Sequence, residues 1–148
     1  MRKIIIALLF IVSISSYAQM HNPVKWSTSV KKISDKESEL IVTATLQKEW
    51  HIYSQEIPKG GPIPTLFTFT GDQRYMKKGN TKEGEGITVD DKMFDMKIKY
   101  FDDKAIFKQR IRLKTQEKFT IKGTVEYMVC SGENCLPPKE VDLSFNVN

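Results

Sequence analysis

Helical periodicity is the first thing missing from this 148-residue sequence: no segment carries an apolar stripe at i, i+3, i+4, and no heptad is sustained. Long helices and coiled coils are thereby excluded. Cysteine is scarce as well, at two residues, and eight glycines and six prolines are too few for a collagen-like chain. A disulfide-dense scaffold is excluded by the same count. Histidine occurs only at His21 and His51, and neither has a Cys, His or carboxylate partner at metal-ligand spacing, so no metal or other cofactor is expected. His51 reads as a residue packed against its neighbour Trp50. Also absent are a Gly-x-Ser-x-Gly elbow, a phosphate loop and a nucleotide fingerprint, which argues against hydrolase chemistry. What remains, at 40% hydrophobic and 28% charged, suits one globular domain.

The N-terminus has its own character. Arg2 and Lys3 precede an unbroken apolar run from Ile4 to Val12, and small residues follow at Ser16 and Ala18. This is the pattern of a secretory signal peptide spanning 1–18, with the domain at 19–148. The run falls well short of the roughly 20 residues a bilayer span requires, so stable membrane insertion is not expected. Gln19 rather than Cys after the cleavage point argues against a lipoprotein. Removing Arg2 and Lys3 from the 23 basic residues leaves 21 against 18 acidic ones, and the basic excess largely disappears. The remaining Lys and Arg are interspersed with acids, so nucleic-acid binding is not supported.

Period-two alternation fills the rest. Leu40, Val42, Ala44 and Leu46 share one face of a segment, Ala105, Phe107, Ile111 and Leu113 one face of another, and Phe119 to Val129 and Val141 to Val147 continue the pattern. Polar turn clusters separate the runs at Ser34 to Glu37, Gly71-Asp72, Lys77 to Asn80, Asp102 to Lys104 and Thr115 to Glu117. Seven or eight short strands so spaced predict an all-β antiparallel sandwich, with a closed barrel as the alternative. Ser54 to Pro64, holding Pro58, Gly60, Gly61, Pro62 and Pro64, reads as an ordered loop, and Asn80 to Gly86 as a second, mobile one.

Export to an oxidising compartment lets Cys130 and Cys135 pair. They stand at the mouth of a four-residue hairpin turn, where directly opposed residues lie within bridging distance. As a staple the bridge closes a six-residue ring worth only about 2 kcal/mol, and the turn already joins its strands. As a redox pair it lacks the two-residue spacing and helix N-terminus that activate thioredoxin-type thiols. Only Lys139 is close along the chain, and no nearby His or dense cationic cluster substitutes. Such a pair reacts when a partner's thiolate attacks it. Both uses remain open on the residues alone.

Three motifs give the chain a family resemblance. They are Trp50-His51-Ile52-Tyr53-Ser54 with Gly60-Gly61-Pro62-Ile63-Pro64-Thr65, then Asp91 to Asp95 before a strand, then Tyr127-Met128-Val129-Cys130 through Cys135-Leu136-Pro137-Pro138. Together they resemble the N-terminal periplasmic domain of the thiol:disulfide interchange protein DsbD. The resemblance implies an immunoglobulin-like sandwich. Its cysteine pair, Cys130 and Cys135, would relay electrons from a membrane electron transporter to periplasmic thioredoxin-like proteins, cytochrome c maturation factors among them. It further implies a cap loop, matched here by Asp91, Met93, Phe94 and Asp95, whose aromatic residue Phe94 covers the disulfide. The alternative is that Phe94 merely opens the following strand and packs in the core. Trp50 and Tyr53 match aromatic positions beside the cysteines. Two departures stand out: the spacing between the cysteines is shorter than in well-known members, and the fused transmembrane and thioredoxin-like regions usual in the family are not seen, so the electron source is expected to be another polypeptide. Pro137-Pro138 stiffen the exit from Cys135, which favours Cys130 as the sulfur that forms a mixed disulfide with a partner. The rival from another class is a secreted sandwich for binding or adhesion, with the two loops as its contact surface and the disulfide as a staple.

Overall fold

Alternation of apolar and polar residues produces strands and no helix in the computed structural model, which describes residues 22–132 and 134–147. The leader read in residues 1–18 and His21 lie outside the described residues. One antiparallel sheet has the order β1 (Val24–Ser34), β2 (Glu37–Leu46), β9 (Lys104–Leu113), β5 (Tyr75–Lys77), with β6 (Lys82–Glu83) also pairing on β9. A second runs β13 (Lys139–Val147), β10 (Phe119–Tyr127), β4 (Leu66–Phe69). The third runs β12 (Asn134–Cys135), β11 (Val129–Ser131), β3 (His51–Tyr53), β8 (Met96–Asp102), β7 (Ile87–Asp91). The expected count of seven or eight is exceeded because several edge segments pair over only two or three residues.

The inward faces of the three sheets share one core. Leu40, Val42, Ala44 and Leu46 of β2 are buried with Ala105, Phe107 and Ile111 of β9, opposite Phe119, Ile121, Val125 and Tyr127 of β10. Aromatic rings knit the layers together. The Trp26 ring lies 5.1 Å from Tyr127, and Phe107 lies 4.8 Å from Phe67 and 5.7 Å from Phe101. Burial of large side chains of this kind stabilises by about 1.5–3 kcal/mol each. The barrel alternative falls away, because separate sheets face one another across this core.

Three details depart from the periodicity. The apolar run from Phe119 to Val129 is divided at Met128: β10 pairs with β13 and β4, whereas β11 pairs with β3 and β12. The strand path thus changes sheets just before Cys130. Gln109 occupies an inward position of β9, 1% exposed. Its amide NH2 donates to the carbonyls of Gly79 and Arg110 and its oxygen accepts from the Thr81 hydroxyl, so the polar group is satisfied. The third departure is the Asn80 to Gly86 segment, expected to be mobile. It forms β6 and is pinned by Glu83, whose carboxylate accepts from the Ser54 hydroxyl at 2.6 Å and the Gln55 N–H at 2.8 Å and pairs with Lys99 at 2.9 Å.

The loop from Ser54 to Pro64 is free of strand, as its prolines and glycines require. The Thr65 N–H donates to the Ser54 carbonyl and the Thr65 hydroxyl to that of Tyr53 at 2.6 Å, which closes the loop against the end of β3. Together with Glu83 this closure fixes the end of β3.

A disulfide on the outer face of the third sheet

Because residues on a strand alternate sides, the third sheet has two chemically distinct faces. Ile52, Phe101 and Val129 point into the main core. Their chain neighbours point the other way. There Tyr53, Ile98 and Cys130 form a second buried cluster, with Ile57, Phe94, Met96, Tyr100, Met128 and Cys135 packed against it.

Cys130 and Cys135 are directly opposed across β11 and β12 and form a disulfide with Cα atoms 4.0 Å apart. Gly132 makes the turn between them possible at φ +57°, a conformation that L side chains rarely adopt. The two sulfurs differ in access. Cys130 is 1% exposed, while Cys135 on the edge strand is half-buried. Cys135 is thus the more exposed residue of the pair, whereas Pro137-Pro138 had favoured Cys130 as the sulfur that meets a partner.

The turn joining β7 to β8 folds over this cluster. The Asp91 carboxylate accepts from the backbone N–H groups of Met93 at 2.8 Å and Phe94 at 3.1 Å, fixing the turn, and Asp95 completes it at φ +51°. Phe94 is thereby placed edge-on to Tyr53, ring centroids 6.4 Å apart, on the cluster that contains Cys130. Of the two readings of Phe94, packing in the main core is not what the fold produces. Met93 is 48% exposed at the rim, and Tyr53, Asp91, Lys92, Met93 and Gly132 line a cleft of about 490 Å³ between this turn and the cysteine hairpin. Burial, and then the negative charge of Asp91, push the Tyr53 hydroxyl up to about 12. It stays protonated and able to donate.

Trp50 is placed elsewhere: it packs against the main core, one residue out of phase with Tyr53. His51 is not stacked on Trp50 as its sequence position suggested. Its ring lies 4.7 Å from that of Tyr100 and 5.3 Å from that of Tyr53, with Nε2 3.3 Å from the Tyr53 hydroxyl. Strand register also corrects the expectation that no histidine stands near the cysteines, since His51 is directly opposed to Cys130. The two are 79 positions apart in sequence, and only the pairing of β3 with β11 joins them.

A model of the family described as "Thiol:disulfide interchange protein DsbD, N-terminal" matches residues 22–146. The chain belongs to this family. Among solved structures, the Neisseria meningitidis DsbD N-terminal domain in its reduced form is similar at TM-score 0.56 and 13% identity, over 84% of this chain and 85% of that one. The N-terminal periplasmic domain of ScsB from Proteus mirabilis follows at TM-score 0.54 and 15% identity, over 84% of this chain and 44% of that one. The complex between the DsbD N-terminal and PilB N-terminal domains of N. meningitidis matches at 0.53 and 11%, covering 80% of each chain. No curated protein matches the sequence. The fold is accordingly an immunoglobulin-like antiparallel β-sandwich. DsbD-family membership and the Cys130–Cys135 disulfide together support thiol–disulfide exchange. Among the described residues no helix is long and apolar enough to cross a membrane, and no group of three or more His, Cys, Asp or Glu could hold a metal ion.

Proposed function

We propose that this chain is an exported periplasmic module, released by cleavage after Ala18, that relays electrons through Cys130 and Cys135 from a membrane electron transporter to thioredoxin-like partners. The observation that carries the reading is the unequal burial of the two cysteines beside the Phe94 turn. A structural staple gains nothing from one half-exposed sulfur, whereas exchange needs one sulfur within reach and a leaving sulfur held in place. Phe94 acts as the cap: it limits access by small thiols until a docking partner displaces the Asp91–Asp95 turn. The complex of the N. meningitidis DsbD and PilB N-terminal domains is the precedent for a protein partner. Cytochrome c maturation factors belong to the range of acceptors that this role covers.

The chemistry is a two-electron transfer. A partner thiolate attacks Cys135 Sγ, forming a mixed disulfide and breaking the Cys130–Cys135 bond, and the partner's second thiol then resolves it, so that the partner leaves oxidised and this chain reduced. The reverse sequence passes the electrons on. Trapping tests the reading: Cys130→Ala and Cys135→Ala variants are exported separately, quenched with acid, and examined for covalent adducts. A thioredoxin-fold protein or membrane electron transporter attached to Cys135 in the Cys130→Ala variant supports the relay. Failure of both variants to capture any partner, with a wild-type disulfide that resists reduction, would favour the adhesion module with its structural staple.

A further inference from the structure

The outer face of the third sheet carries one row that runs across four strands. Cys135 is directly opposed to Cys130, Cys130 to His51, and His51 to Asp102. Directly opposed residues of antiparallel strands project on the same side, with Cβ atoms about 4.5–5.5 Å apart. The sheet therefore places His51 next to Cys130 on one face, with Asp102 on its other side and its ring against Tyr53 and Tyr100. We propose that His51 is the acid–base partner of Cys130, oriented by Asp102.

This rests on the exchange reading above and supplies a step it leaves open. When a partner thiolate bonds to Cys135 Sγ, the electron pair of the broken disulfide stays on Cys130 Sγ. That sulfur is 1% exposed and out of reach of bulk water. An unpaired buried thiolate is costly, so it needs a proton or a cation at once. His51 is half-buried and so keeps contact with solvent. It takes a proton from water as the thiolate charge appears and passes it to Cys130 Sγ, leaving a thiol and a neutral ring. When the reduced chain attacks an acceptor's disulfide the traffic reverses: the neutral ring removes the Cys130 proton, and the thiolate closes on Cys135 Sγ while the acceptor departs as a thiolate that solvent protonates.

The groups around His51 suit both directions. Asp102 of β8 and Asp91 at the end of β7 are the negative charges that favour its protonated form, while burial holds it neutral, with the net effect a lowering. The Tyr53 hydroxyl and the Tyr100 ring complete its surroundings from β3 and β8, and Cys130 faces it from β11. In the disulfide state the ring is thus a free base. A new negative charge on Cys130 tips it toward the cation.

The test isolates Cys130 in the full chain with Cys135→Ala and follows its ultraviolet thiolate absorbance against pH, with and without His51→Gln. The expected result is a loss of about tenfold in the thiolate fraction at neutral pH on substitution, equivalent to about one unit of pKa. In the chain with both cysteines, the His51 ring resonances should show a further step in the reduced protein, at the pH where Cys130 ionises, that the oxidised protein lacks. Asp102→Asn, at an exposed position, provides a second variant should His51→Gln fail to fold, and it should shift the same thiolate curve in the same direction by less. Superimposable thiolate curves in the substituted and unsubstituted proteins would overturn the proposal. Exchange itself is read separately, as the reaction of the wild-type disulfide with a Cys-x-x-Cys dithiol: its absence defeats the relay, whereas its presence with unchanged thiolate curves defeats only the role of His51.

Discussion

The two faces of the third sheet differ by a one-residue offset and have opposite surroundings. On the inner face Ile52, Phe101 and Val129 join a core fed by all three sheets. On the outer face Tyr53, Ile98 and Cys130 make a cluster that only the Ile57 loop, the Phe94 turn and a few partly buried neighbours cover. Cooperative opening costs least where few apolar contacts must be lost, so the outer cluster can open while the core stays folded. Strand alternation thus puts the core residues and the disulfide on opposite faces of the same strands.

The largest effect expected belongs to the inner side. Phe107→Ala, at a fully buried position, should lower the unfolding free energy by about 3–5 kcal/mol in urea titrations of the oxidised protein. The rate at which dithiothreitol reduces the disulfide under native conditions should barely change. Equal acceleration by this variant and by a cap variant would mean the faces are not independent.

Replacing both cysteines by alanine comes next, at about 2 kcal/mol, the loop-closure value for so short a ring. A loss well beyond that would make the bridge a staple of the fold. Phe94→Ala should cost less, about 1 kcal/mol, since the ring is only partly buried, while reduction by small thiols accelerates about tenfold. A loss of several kcal/mol without any rate change would return Phe94 to the core and remove the cap.

Acid sensitivity sharpens the comparison at the smallest scale. Burial raises the Glu83 carboxyl, but the Gln55 N–H, the Ser54 hydroxyl and Lys99 more than offset this and hold it below the usual carboxylate range. A group lowered in this way adds stability that is fully present above its unfolded value of about 4.3 and is lost as pH falls through the folded value. The contribution is under about 1 kcal/mol, because the carboxylate is partly solvated. The protection factor of the Gln55 amide, whose N–H is bonded to Glu83, should therefore fall in acid, and Glu83→Gln should flatten that dependence.

How much of this was legible beforehand follows from which interactions are local. Alternation along β2, β9, β10 and β13 marked the core residues, and the hairpin between Cys130 and Cys135 marked the bridge, because both depend on near neighbours in the chain. The change of sheet at Met128 was hidden, since apolar alternation runs through it without a break and only partner choice divides it. Gln109 was hidden for a related reason: its satisfaction depends on the backbone near Gly79 and Thr81. His51 was misread most plainly. Trp50 is its neighbour in sequence but belongs to the opposite face, and Cys130 becomes its neighbour only through strand register. The sequence resemblance pointed to Phe94 as a cap, yet what places it against the Cys130 cluster, Asp91 gripping the turn through two N–H groups, emerged only from the fold.

The central claim is that the Cys130–Cys135 disulfide is a working redox couple on a face the core does not depend on. Equilibrating the full chain against glutathione buffers of graded composition, and quantifying the reduced and oxidised forms after an acid quench, measures its potential directly. The expected value is clearly above about −300 mV, with unfolding free energies of the two forms differing by no more than about 2 kcal/mol. A potential well below −300 mV, the range of structural bridges, would contradict it.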